Sequence, residues 1–122
     1  MTVPVAARLR TAAERYAVLL AEALGDRLVS VVLFGSVARG DATAGSDIDL
    51  LIVATDLPGG QFARKRLLTD ADRAFEPLRA EADADGVEIR LARIVRTPAE
   101  AARIIPLYLD MTEDAVLLVD RE

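Results

Sequence analysis

Leu9, Ala12, Ala13, Tyr16, Leu19, Leu20 and Ala23 fall three or four positions apart, which lines them up along one side of a helix. The spacing predicts a helix over Thr2–Leu24, with Pro4 in its first turn and Gly25 as its C-terminal cap. The pattern then changes. Leu28–Phe34 is a short, β-branched apolar run stopped by a glycine, as a buried strand is. Ile48–Ala54 is a second such run. Between them, Gly35-Ser36 turns the chain into a short helix, and a polar connector runs from Gly40 to Ser46. Thr55–Gly60, with Pro58-Gly59-Gly60, reads as a loop. Helical spacing returns over Gln61 to about Ala84, with Leu67, Ala71, Ala74, Phe75 and Leu78 on the buried face. Pro77 lies inside it and is expected to kink or split it.

Asp85-Gly86 turns into a third predicted strand, Val87–Val95, with Val87, Ile89 and Leu91 on one face and Glu88, Arg90 and Ala92 on the other. Thr97-Pro98-Ala99-Glu100 is a capping box with proline at the first helical position. The helix it opens is expected to reach about Ile105, broken by Pro106, with another turn over Pro106–Met111. Ala115–Val119 closes the chain as a short strand. At 122 residues the pattern predicts one domain, 1–122, with no internal repeat.

Composition narrows the chemistry. Apolar residues are 52% of the chain but aromatics only 4%, so the core must be built from Ala, Val, Leu and Ile. There is no histidine and no cysteine, which excludes a Ser-His-Asp triad, imidazole- or thiolate-bound zinc, and disulfides. Chemistry is left to carboxylates, metal ions, hydroxyls and arginines. The net charge is −5 with a single lysine, Lys65, so a nucleic-acid partner is disfavoured. No apolar run is long enough to cross a membrane, and the N-terminus lacks a signal peptide's apolar core. Both point to the cytoplasm.

The chemically dense stretch spans the first two predicted strands. Gly35 allows close approach of backbone to a ligand, and free N–H groups at a helix start attract phosphate. Asp47 and Asp49 lie two apart at the start of the second strand and project from the same face. Two like charges so close resist ionisation unless a cation sits between them. A hard oxygen pair of this kind suits Mg²⁺, which usually also takes oxygens from a substrate phosphate.

Gly35-Ser36, ten intervening residues, and Asp47-Ile48-Asp49 resemble the signature of the DNA polymerase β-like nucleotidyltransferase superfamily. The fuller strings Gly35-Ser36-Val37-Ala38-Arg39-Gly40 and Ser46-Asp47-Ile48-Asp49-Leu50 are similar to its minimal nucleotidyltransferase branch, which includes antitoxin partners of HEPN-domain toxins. The motif covers about a fifth of the chain, and both halves in this order and spacing make it specific.

The resemblance implies an α/β fold, a mixed sheet of about four or five strands with helices on one face. The other face would be partly open and carry the acidic residues. It implies Mg²⁺, as two ions about 4 Å apart held by carboxylates, and ATP or another NTP attacked at its α-phosphate. Ser36 would then lie along the triphosphate, or be a plain N-cap. Arg39 would contact phosphate, or pair with Asp41 or Asp47. Glu88 would be the superfamily's third carboxylate, where Asp is commoner, or pair with Arg90 on its own strand. The implied activity is transfer of AMP onto a partner protein, in this branch a tyrosine hydroxyl of a HEPN-type toxin. The alternative is an inactive nucleotide- or partner-binding antitoxin module acting by contact. Arg64-Lys65-Arg66 reads as a solvated helix face or a contact. Leu107, Tyr108, Leu109 and Met111 read as core or as an exposed apolar patch for a homodimer or a partner.

Overall fold

The computed structural model describes residues 3–111 and 114–121, side chains excepted over 105–111. Helix α1 (Val5–Leu24) leads through a short 3₁₀ turn, Gly25–Arg27, into strand β1 (Leu28–Phe34). Helix α2 (Gly35–Arg39) and the connector carry the chain to β2 (Ile48–Ala54). Helices α3 (Gln61–Arg66) and α4 (Thr69–Ala84) cross over to β3 (Leu91–Arg96). Helix α5 (Pro98–Met111) and β4 (Val116–Asp120) complete the order.

The sheet runs β3-β2-β1-β4. β1 pairs antiparallel with both β2 and β4, whereas β2 and β3 are parallel. This is the expected mixed sheet, with four strands. A parallel pair needs a long crossover, which α3 and α4 supply. Alternation sends Ile48, Leu50 and Ile52 of β2 to one face, where α1 and α4 bury them with Leu9, Leu20, Phe75 and Leu33. Leu51 and Val53 point the other way and meet Ala101 and Ile104 of α5 together with Val32 and Ile94. The two long helices α1 and α4 therefore share one face, as expected. α5 covers part of the second, because Leu51 and Val53 would otherwise face water.

Neither Pro77 nor Pro106 breaks its helix. α4 runs unbroken through Pro77. Pro77 and Arg73, whose carbonyl would have met the missing donor, are both exposed, so water can take that carbonyl. The interruption comes earlier, at Leu67-Leu68, where the Leu67 and Leu68 N–H groups bond back three residues and the Thr69 hydroxyl donates to the Arg66 carbonyl at 2.7 Å. α5 likewise continues past Pro106 to Met111. The patch expected at Leu107, Tyr108, Leu109 and Met111 lies outside the described side chains. The capping box forms as expected: the Thr97 N–H donates to Glu100 Oε1 at 2.9 Å, and the Glu100 N–H donates to Thr97 Oγ1 at 3.2 Å.

Candidate functional site

The site lies where β1 ends and β2 begins, on the α5 side of the sheet. Pairing of Phe34 with Asp49 brings the residue before the Gly-Ser turn alongside the second aspartate. Gly35 adopts φ +75°, and a Cβ there would collide with the Asp49 carboxylate. Glycine is thus required twice, by its left-handed backbone and by the carboxylate beneath it. Ser36 is the second residue of α2, whose N-cap is Phe34, so it is not a simple N-cap. The connector is folded on itself: the Thr43 N–H donates to Ser46 Oγ at 2.9 Å, and the Ser46 N–H to the Thr43 carbonyl at 3.0 Å.

Asp47 precedes β2 and is exposed, whereas Asp49 is half-buried. Burial raises the Asp49 carboxyl above its ordinary pKa, the negative charge of Asp47 raises it further, and Arg39 opposes both. The Asp pair is therefore close enough to interact, with Arg39 within its field. Arg39 itself pairs with Asp41, Nε to Oδ2 at 3.5 Å, in an exposed contact. Of the two ion pairs foreseen for it, the one to Asp41 forms.

Asp47 has a different partner. The Arg90 Nε–H donates to Asp47 Oδ1 at 2.8 Å, and Arg90 Nη2–H donates to the Gly45 carbonyl. The hydrogen bond and charge of Asp47 hold the guanidinium even more firmly protonated than usual. Strand alternation alone offers Arg90 only Glu88 as a partner. No local pattern signals the Asp47–Arg90 pair: it follows from the parallel register, Ile48 beside Leu91, which sets the preceding residues Asp47 and Arg90 side by side.

Glu88 departs from expectation. β3 starts at Leu91, not Val87, so Glu88 lies ahead of the first β2–β3 pair. Val87 and Ile89 are buried and Glu88 exposed, which preserves the alternation without a neighbouring strand. The position opposite Asp49 falls to Ala92. Among the described residues, no group of three acidic side chains is placed to hold a metal ion together. The expected convergence of Glu88 with Asp47 and Asp49 is not present.

Two further polar clusters shape the surroundings. Arg64 is buried, donating from Nε to the Pro58 carbonyl at 2.7 Å and from Nη1 to the Val95 carbonyl at 3.3 Å and Glu100 Oε1 at 2.6 Å. It ties α3 to β3 and α5 and is neither a solvated face nor a free contact; its neighbours Lys65 and Arg66 are exposed. The Glu100 carboxyl is held down at about 2, first by its hydrogen bond from Arg64 and next by the Thr97 N–H. On the opposite face, the fully buried Tyr16 donates to Asp72 Oδ1 at 2.7 Å, and Arg93 Nη1 donates to both Asp72 oxygens at 2.6 and 2.7 Å. Tyr16 also packs edge-on against Phe75. It is a core residue.

A nucleotidyltransferase-domain family model matches residues 19–111. Over 46 residues, 38% of this chain and 31% of the relative, the sequence is 50% identical to a protein of Methanocaldococcus jannaschii described as a candidate protein adenylyltransferase. The match thus spans less than a third of that relative's length. In structure, the chain is similar to a candidate nucleotidyltransferase from Sulfolobus solfataricus, with TM-score 0.58 and 23% identity over 98% of this chain and 91% of that one. It is also similar to a chain of a toxin–antitoxin complex solved with AMP-PNP, with TM-score 0.51 and 20% identity over 89% and 74% of the two chains. At those identities the structural matches establish the fold.

Proposed function

Because the chain belongs to the nucleotidyltransferase domain family, matched over residues 19–111, we propose that it is an antitoxin-like protein adenylyltransferase moving AMP from ATP onto a separate partner. The observation that carries this reading is the Asp49 carboxylate packed under the Gly35 turn with Asp47 beside it. The family implies an NTP substrate and typically a divalent metal. The residues fit such an ion: the donors are all carboxylate oxygens, and a cation would relieve the repulsion that raises Asp49. Asp47 and Asp49 would hold it. When bound, it would neutralise charge on the phosphates being parted.

The chain's own groups supply the rest. The Gly35 backbone, free of a side chain, and the Ser36 hydroxyl would hold the triphosphate, with Arg39 offering a positive charge nearby. The partner's hydroxyl oxygen bonds to the α-phosphorus as the bond to pyrophosphate breaks, and the hydroxyl proton passes to water. A HEPN-type toxin is the partner that the motif's resemblance points to. The toxin–antitoxin complex with AMP-PNP supports it as a fold neighbour.

A second reading, a module that silences its partner by contact alone, is favoured by the engagement of Asp47 with Arg90 and by the absence of a third carboxylate beside the pair among the described residues. Pyrophosphate release with ATP, Mg²⁺ and the partner separates the two. Release lost in Asp47→Asn and Asp49→Asn supports transfer. Tight partner binding without release supports the contact module.

A further inference from the structure

Arg90 takes no part in the transfer outlined above, yet it is the group bonded to Asp47. Its Nε–H occupies Asp47 Oδ1 at 2.8 Å, and a second donor holds the Gly45 carbonyl on the same connector. Both members of the pair are about half exposed, at 48% and 50%. Exposed ion pairs contribute little and break readily. The Arg90 backbone, by contrast, is fixed: its carbonyl accepts the Ile48 N–H at 2.8 Å, one residue from Asp47. The guanidinium can leave the carboxylate while its Cα stays beside the site.

We propose that Arg90 is a built-in counter-cation for the carboxylate pair, holding Asp47 while no metal is bound and exchanged for the metal on loading. This rests on the reading that Asp47 and Asp49 hold a divalent ion. The charge count gives the direction. Asp47, Asp49 and Arg90 together carry one net negative charge; without Arg90 the pair carries two. An incoming dication must displace a like-charged guanidinium from one of its ligands. Removing that charge should tighten metal binding by about tenfold, the size of a surface Coulomb interaction between a dication and a unit charge several ångströms away. A residue that merely props Asp47 in place would have the opposite effect when removed.

The test is titration of the nucleotide-free protein with Mn²⁺, followed by electron paramagnetic resonance at low salt. Arg90→Gln should bind Mn²⁺ about tenfold more tightly than wild type, and Arg90→Lys, which keeps the charge, close to wild type. The gap should shrink at high salt as charges are screened. A second arm needs no variant to stay folded except for assignment: the Arg90 Nε–H signal of the wild-type protein, identified by its loss in Arg90→Lys, should move toward that of a free guanidinium as Mg²⁺ saturates the site. Equal or weaker Mn²⁺ binding by Arg90→Gln overturns the counter-cation role and leaves the metal site standing, as does an Nε–H signal unmoved while Mg²⁺ binds. No binding by wild type or variant overturns both.

Discussion

Asp49 is the residue on which the site's electrostatics are most exposed to test. Burial, then the charge of Asp47, holds its carboxyl above the ordinary value of 3.8. The unfolded chain therefore loses this proton at lower pH than the folded protein does. Across that window the native state binds more protons, so stability falls as pH rises, and the penalty is complete above the raised value. Asp49→Asn should raise the melting temperature at neutral pH and have no such benefit below the ordinary carboxylate range, as thermal melts across pH would reveal. A variant less stable at neutral pH would make Asp49 a structural group. The meeting of the Gly35-Ser36 turn with Asp47 and Asp49 was legible in the sequence because it is local: a turn between two apolar runs and a two-residue alternation. Arg90 was not, because its bond to Asp47 spans 43 residues and depends on a strand register. Glu88 misled for the same reason, since alternation shows which face a residue takes but not where the neighbouring strand begins.

At the level of elements, polar contacts fix how helices meet the sheet. Tyr16 of α1 reaches Asp72 of α4, which Arg93 of β3 clamps from the other side. Burial and the bond to Asp72 push the Tyr16 phenol well above its ordinary pKa. Tyr16→Phe leaves the ring in place and removes two charge-assisted hydrogen bonds, the one it donates to Asp72 and the one it accepts from Arg93. It should cost about 1–2 kcal/mol, a fall of roughly 4–8 °C in melting temperature, read by circular dichroism. Glu100 makes the corresponding tie for α3 and α5. Its folded pKa of about 2 lies below the ordinary 4.5, so its contribution is present above the ordinary value and is lost as pH falls toward 2. Glu100→Gln, which strands the buried Arg64 guanidinium without its counter-charge, should be destabilised at neutral pH and converge with wild type near pH 2. A constant gap across that range would contradict the pairing. The capping box behind Glu100 was readable as four adjacent residues. The break before α4 was not, since Leu67-Leu68 carries no proline or glycine, whereas Pro77 and Pro106 drew the expected breaks to places where the helices continue.

For the whole molecule, the site opens at one end of a sheet whose other face is sealed by α1 and α4. Among the described residues no helix is long and apolar enough to cross a membrane. The chain's net charge of −5 gives a polynucleotide acceptor little to hold it, so the hydroxyl that receives the nucleotide should come with a separate protein. The proposed function has this protein adenylylate that partner through the Asp47–Asp49 pair. Losing either carboxylate should cost about 10³-fold or more, because metal-borne charge stabilisation is worth several kcal/mol. The most direct measurement is intact mass spectrometry of a HEPN-type partner incubated with the protein, ATP and Mg²⁺, set against the same incubation with Asp47→Asn. The expected result is an adenylyl mass increase on the partner that is absent with the variant. A partner that binds tightly to both proteins and gains no mass from either would contradict it.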